Sequence, residues 1–237
     1  MTADADRPQD PRRRRLLLAA TTTALSALAP ACAGPRTGTG GAVRAPATPA
    51  GTRPASAAAP ACVLTPETGE GPYYARNSRA RSDIVEDRRG VPLRVELRIV
   101  RASKGCAPMP RVAVDVWQAD ASGIYSRDGA TYLRGTQTTD AEGRVSFRTI
   151  VPGWYADIAP HVHFKVRPDR HSEVASQLFL PEELLRQVYA GEPYSGRRAP
   201  AHPNTRDDRF AAHGPQMMLA PLEEAGGYRA SFVVGIA

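Results

Sequence analysis

Val95-Glu96-Leu97-Arg98-Ile99-Val100 alternates apolar with charged side chains until its last residue. A period of two sends the apolar set to one face of an extended strand and the charges to the other, as a sheet buried on one side requires. Working outward, Ala113-Val114-Asp115-Val116-Trp117, Val145-Ser146-Phe147-Arg148-Thr149-Ile150 and residues 161–166, 177–180 and 228–234 read the same way. Ser122-Gly123, Asp140-Ala141-Glu142-Gly143 and Pro152-Gly153 separate them as turns. Helix signals are scarce. One short helix is expected from Pro181 to about Tyr189, with proline at its first position, Glu182 and Glu183 in its first turn and Gly191 just beyond. No internal repeat is present. Short strands at this cadence predict an all-β chain: a β-sandwich with long connecting loops and one short helix.

That domain does not occupy the whole chain of 237 residues. Residues 1–32 read as an export signal, in which the run Arg12-Arg13-Arg14-Arg15 precedes an uncharged stretch over residues 16–31. The stretch is too short and too rich in threonine for a comfortable membrane span, which needs about 20 apolar residues. Arginines followed by Leu16-Leu17 resemble a twin-arginine signal, the alternative being an ordinary secretory one. Cys32, after Leu28-Ala29-Pro30-Ala31, resembles a degraded lipoprotein attachment site, which would give a lipid anchor; simple cleavage nearby is the alternative. Residues 33–61 are almost entirely Gly, Ala, Pro, Thr and Ser with isolated arginines, a composition that cannot bury enough apolar surface to fold. The folded domain is expected over residues 62–237, a normal size for one core.

Charge and cysteine usage narrow the function classes. Eight arginines against three aspartates place five of the seven net positive charges on residues 1–61, so the domain itself carries little excess charge. No basic face for nucleic acid is expected, nor is a stable protein partner implied. Cys62 and Cys106 lie inside the domain, and export to an oxidising compartment makes a disulfide between them the expectation, two buried free thiols being the alternative.

The residues that carry chemistry start with Pro160-His161-Val162-His163-Phe164-Lys165-Val166. Residues two apart on a strand share a face, so His161 and His163 project together and can share one metal ion. Two tyrosines sit where turns meet strands, Tyr125 after Gly123-Ile124 and Tyr155 after Pro152-Gly153-Trp154. A phenolate is a hard anionic oxygen ligand that suits ferric iron, and a cation of that charge would ionise the phenol at neutral pH. Taken singly, each tyrosine reads equally as a packing residue whose hydroxyl bonds a backbone carbonyl.

Read in order, Cys62-Val63-Leu64-Thr65-Pro66-Glu67, Glu70-Gly71-Pro72-Tyr73-Tyr74, Asp115-Val116-Trp117-Gln118-Ala119-Asp120-Ala121-Ser122-Gly123-Ile124-Tyr125, Leu133-Arg134-Gly135-Thr136-Gln137, Phe147-Arg148-Thr149-Ile150-Val151-Pro152-Gly153-Trp154-Tyr155 and Pro160-His161-Val162-His163-Phe164 resemble the intradiol ring-cleavage dioxygenases, in particular the compact exported branch related to the protocatechuate 3,4-dioxygenase beta chain. The resemblance implies a non-haem Fe(III) held by Tyr125, Tyr155, His161 and His163. It implies O2-dependent cleavage of a small aromatic diol between its hydroxyls to a cis,cis-muconate-type diacid. Tyr125 is then the ligand displaced by substrate, and Gln177 lies beside the substrate. Tyr73 and Tyr74 fall at the pocket mouth. The branch usually carries an arginine three residues before the first histidine; Ile158 stands there, so positive charge would have to come from elsewhere, such as Arg134 or Arg148. Two other readings compete. One is a non-catalytic transthyretin-like sandwich, and the other is a zinc or copper site built from His161, His163 and a third histidine among His171, His202 and His213.

Overall fold

A computed structural model describes residues 63–76, 78–155, 158–169, 172–197 and 202–237. The expected signal, linker, Cys32 and Cys62 lie outside the described residues. Two sheets face each other. The first contains β1 (Pro92–Arg101), β2 (Ala107–Pro108), β5 (Arg144–Ile150), β8 (Leu222–Glu224) and β9 (Gly227–Ile236). The second runs β4-β3-β6-β7, with β3 over Ala113–Trp117, β4 over Arg134–Thr138, β6 over His161–Arg167 and β7 over Val174–Phe179. Every pairing in the second sheet is antiparallel, whereas β1 pairs β5 antiparallel and β9 parallel.

The alternation in β1 does what its sequence requires: Leu93, Val95, Leu97 and Ile99 are buried while Arg94 and Arg98 are exposed. From the facing sheet, Val114 and Val116 of β3 and Val162, Phe164 and Val166 of β6 enter the same core. Each such fully buried side chain contributes about 1.5–3 kcal/mol from apolar burial. The fold is therefore an all-β sandwich.

β6 departs from one-sided burial, since both of its faces are covered. His161, His163, Lys165 and Arg167 point away from the core, and the segment before β1 lies over them. Thr68 and Gly69 donate backbone N–H groups to Ala175 O, and Lys165 Nζ pairs with Glu70 and Glu173 at 2.6 and 2.7 Å. Asp115, on the same face of neighbouring β3, accepts from Tyr74 Oη at 2.7 Å, Thr136 Oγ1 at 2.6 Å and Arg167 Nε at 2.8 Å. A second, smaller apolar cluster forms on this outer face around Trp117, Ala119 and Tyr125.

Two expectations about elements need correction. Helix α1 spans Glu182–Tyr189, with Pro181 as its N-cap rather than its first residue, and a second helix, α2, spans Asp208–His213. Asp207 caps α2, its side chain accepting from Arg209 N and Phe210 N. At six residues, closed by Gly214-Pro215, α2 is too short to show a helical period. Strand β4 was also unsigned, because Arg134-Gly135-Thr136-Gln137-Thr138 lacks apolar alternation and is held as a strand by pairing with β3. Among the described residues no helix is long and apolar enough to cross a membrane.

Candidate metal centre

Two turns bring the tyrosines to the end of the histidine strand. Asp120 organises both: its Oδ1 accepts from Ser122 N and Ile124 N, and its carbonyl accepts from Gly123 N and Gly153 N. The turns then press backbone to backbone. A Cβ on Gly123, which sits at φ +77°, would stand 2.0 Å from Trp154 O, and one on Gly153 would stand 2.3 Å from Ala121 O. Glycine is thus required at both places by close approach, and at Gly123 by the left-handed backbone as well. Their contact fixes the distance between Tyr125 and Tyr155.

The four polar groups meet. His161 Nδ1 lies 2.6 Å from Ala159 O, an arrangement in which Nδ1 donates and Nε2 is left as an acceptor aimed at the cluster. His161 Nε2 is 2.9 Å from His163 Nε2 and 3.3 Å from Tyr125 Oη, which is 3.4 Å from Tyr155 Oη. Donor atoms sharing a metal at bond lengths of about 2.0–2.2 Å stand roughly 3 Å apart. Trp117 holds His163 by stacking at 4.8 Å with an interplanar angle of 1°, and Tyr73 stacks on Tyr125 at 4.3 Å.

Burial sets the protonation of this cluster. It lowers the His161 pKa to about 4 and pushes that of His163 well below its ordinary value, with His161 as a second cause, so both rings are neutral with lone pairs available at physiological pH. Burial raises both phenols, that of Tyr125 well above its ordinary value with Tyr155 adding to it. Two buried imidazole nitrogens abutting one buried and one partly buried phenol, with His163 Nδ1 left unpartnered, form a donor set that fits a hard trivalent cation. Such a charge would reverse the rise of the phenol pKa and make the oxygens anionic ligands.

The other expected residues fall around the cluster in different ways. Gln177 is the cross-strand partner of His163, buried, with its Nε2 unpartnered. Tyr74 turns its hydroxyl away to Asp115 and packs its ring on Trp117, so it anchors the covering segment instead of opening the site. Arg134 is buried and occupied, donating to Ser126 Oγ and O and to Tyr73 O. Arg148 forms an exposed ion pair with Asp83. Ile158 bridges Tyr155 through its backbone and brings no charge. Cys106 is disulfide-bonded, and its expected partner Cys62 is outside the described residues.

The histidine-only alternative is not built among the described residues. Among the described residues no group of three or more His, Cys, Asp or Glu side chains could hold a metal, so neither His202 nor His213 joins the pair, while His171 is outside them. Sequence reasoning missed Trp117 and Asp207, whose Oδ2 accepts from Ala159 N just before the histidine strand. The first is signalled by register, since Trp117 lies opposite His163, but the pairing of β3 with β6 is not written in either strand alone.

Comparison with known proteins places the chain in a family. The sequence model of the dioxygenase family matches residues 69–189. Catechol 1,2-dioxygenase of Acinetobacter baylyi is 27% identical over 160 residues, which cover 55% of this chain and 48% of that protein. Protocatechuate 3,4-dioxygenase beta chain of Burkholderia cepacia is 32% identical over 114 residues, covering 40% and 48%. The chain thus spans about half the length of the curated relatives it matches. Among solved structures, an intradiol ring-cleavage dioxygenase from Tetranychus urticae superposes with a TM-score of 0.70 at 31% identity, covering 74% of this chain and 94% of that one. The chain belongs to the intradiol ring-cleavage dioxygenase family.

Proposed function

We propose that this chain is a non-haem Fe(III) dioxygenase that opens small catechol-type rings between their two hydroxyls, giving cis,cis-muconate-type diacids. One observation carries the reading: two neutral imidazoles and two phenols from separate segments meet at one buried point. Tyr125, Tyr155, His161 and His163 would hold the metal. When bound, iron(III) supplies Lewis-acid activation of the diol toward O2 and a template for both reactants.

The chain's own residues do the rest. His161 is oriented by Ala159 O, and His163 is clamped by the Trp117 indole and backed by Gly71, where an added Cβ would stand 3.5 Å from His163 Cε1. Tyr125 Oη would be the base that accepts a hydroxyl proton from the entering diol. Tyr155 would hold the metal as an anionic oxygen that balances its charge, and Gln177 Nε2, buried and unpartnered, would donate toward the substrate. Tyr73 forms an aromatic wall beside Tyr125. The partners are the diol and O2, with no nucleic acid. The chain is exported, by a twin-arginine signal over residues 1–32 and with Cys32 as a possible lipid anchor site, and residues 33–61 tether the domain.

Metal analysis and oxygen uptake over a panel of catechols, hydroxyquinol and protocatechuate included, test the proposal. Purified protein should carry about one iron per chain and a visible phenolate-to-iron absorption. Tyr155→Phe should abolish most of that band. A colourless, iron-free protein that consumes no oxygen would return the non-catalytic sandwich to first place.

A further inference from the structure

Asp207 is a carboxylate with 2% of its surface exposed. A buried charge needs hydrogen bonds, and Asp207 takes three, all from backbone N–H groups. Oδ1 accepts from Arg209 N at 2.8 Å and Phe210 N at 3.3 Å and so caps α2. Oδ2 accepts from Ala159 N at 2.9 Å. Capping needs only one oxygen, so serine or asparagine would serve α2 about as well. The second oxygen is what an aspartate adds, and it is committed to Ala159.

Ala159 is the junction between two of the four cluster residues. Ile158 before it bridges to the backbone of Tyr155, and the Ala159 carbonyl lies 2.6 Å from His161 Nδ1. Pro160 follows; it brings no N–H and disfavours a helical residue 159, so the direction of that carbonyl depends on what holds Ala159 N. The carboxylate that holds it comes from a fixed place. Asn204 Nδ2 donates to Leu180 O at 2.9 Å, and Phe179 exchanges backbone hydrogen bonds with Met217 and Leu219 at 3.0 and 2.9 Å. The segment carrying α2 is thus tied to the end of β7 on both sides of Asp207. A ligating imidazole is kept in one tautomer by the bond that its other nitrogen makes. With Nδ1 donating to Ala159 O, His161 Nε2 keeps its lone pair for the cluster. Were that carbonyl to turn away, the proton could sit on Nε2, 2.9 Å from His163 Nε2, and close the position to a metal.

We propose that Asp207 is a positioning residue for the centre: through its bond to Ala159 N it aims the Ala159 carbonyl at His161 and fixes the imidazole tautomer that can bind a metal. The inference rests on the function proposed above for the identity of the ion. The test uses the full-length chain, metal-free and iron-loaded, and compares Asp207→Ser and Asp207→Ala with the unmodified protein. Serine keeps a cap oxygen for α2 but does not reach Ala159, whereas alanine removes both. In the unmodified metal-free chain, nitrogen NMR should find His161 protonated at Nδ1; protonation at Nε2 would overturn the inference without any variant. Both variants should show mixed tautomers at His161 and hold ferric iron ~10-fold more weakly in competition with nitrilotriacetate, the usual cost of losing an outer partner of a metal ligand. The alanine variant should melt lower than the serine variant, through its missing cap, without holding iron any more weakly. A serine variant with an unchanged His161 tautomer and iron affinity within twofold of the unmodified chain would overturn the role of Asp207, as would iron affinities that simply follow the melting order. A chain that takes up no iron, while its His161 tautomer responds to Asp207→Ser as stated, would overturn the proposed function and support the role of Asp207.

Discussion

At the scale of single residues, the centre depends as much on what glycine lacks as on what tyrosine and histidine carry. Gly123 combines a left-handed backbone with a carbonyl where its side chain would be. Gly123→Ala should therefore destabilise the domain by ~1–3 kcal/mol of backbone strain, with added cost from moving Trp154 O. Because relief of the clash spreads the two turns, it should also weaken iron retention, read by denaturant midpoint and by metal content after dialysis. A midpoint unchanged within error would contradict the close-packed turns. The glycine was legible as a turn signal in Ser122-Gly123, and the tyrosines as strand-edge residues. What could not be read was the partner, because the atom that excludes a side chain at Gly123 belongs to a residue thirty-one positions away.

At the scale of elements, the strands that bury one face announced themselves by period, and the ones held by pairing did not. β1 and β3 lie where alternation put them, whereas β4 is polar and is recruited by register with β3. The outer face of β3, β4 and β6 is joined by one carboxylate: Asp115 of β3 accepts from Thr136 of β4, Arg167 of β6 and Tyr74 of the covering segment. Sequence shows an aspartate in an apolar strand, which alone reads as a solvent-facing residue; burial by a segment whose Tyr74 lies forty-one residues earlier changes its meaning. Asp115→Ala strands a guanidinium and a phenol hydroxyl beneath that segment. Loss of a buried partner of this kind costs about 3–5 kcal/mol, and the lower half of that range fits here because Arg167 is partly exposed. Urea unfolding should show the drop, and amide exchange should quicken first in the segment before β1. A loss under about 1 kcal/mol would mean the network is decorative.

At the scale of the whole molecule, the sandwich encloses its apolar core between the sheets and keeps the polar cluster outside it, under a cover formed by the segment before β1. That division explains why fold and centre were legible from different signals, the first from period and the second from four residues of two types, tyrosine and histidine, at separated positions. It also has a thermodynamic consequence. Without a cation the cluster holds two neutral imidazoles and two protonated phenols, all disfavoured in their charged forms by burial. The folded chain alone presents them together, so under the proposed function the ion would bind the native state and hardly the unfolded chain. At free iron a thousandfold above the dissociation constant, linkage adds about 4 kcal/mol of stability. For a domain of this size that is a rise of ~8–16 °C in thermal midpoint. Chelated protein should melt lower by that amount and recover on return of ferric iron, followed by calorimetry. Tyr155→Phe should shrink the recovery by removing one anionic ligand, and a shift that zinc reproduced in full would speak against a phenolate-built site.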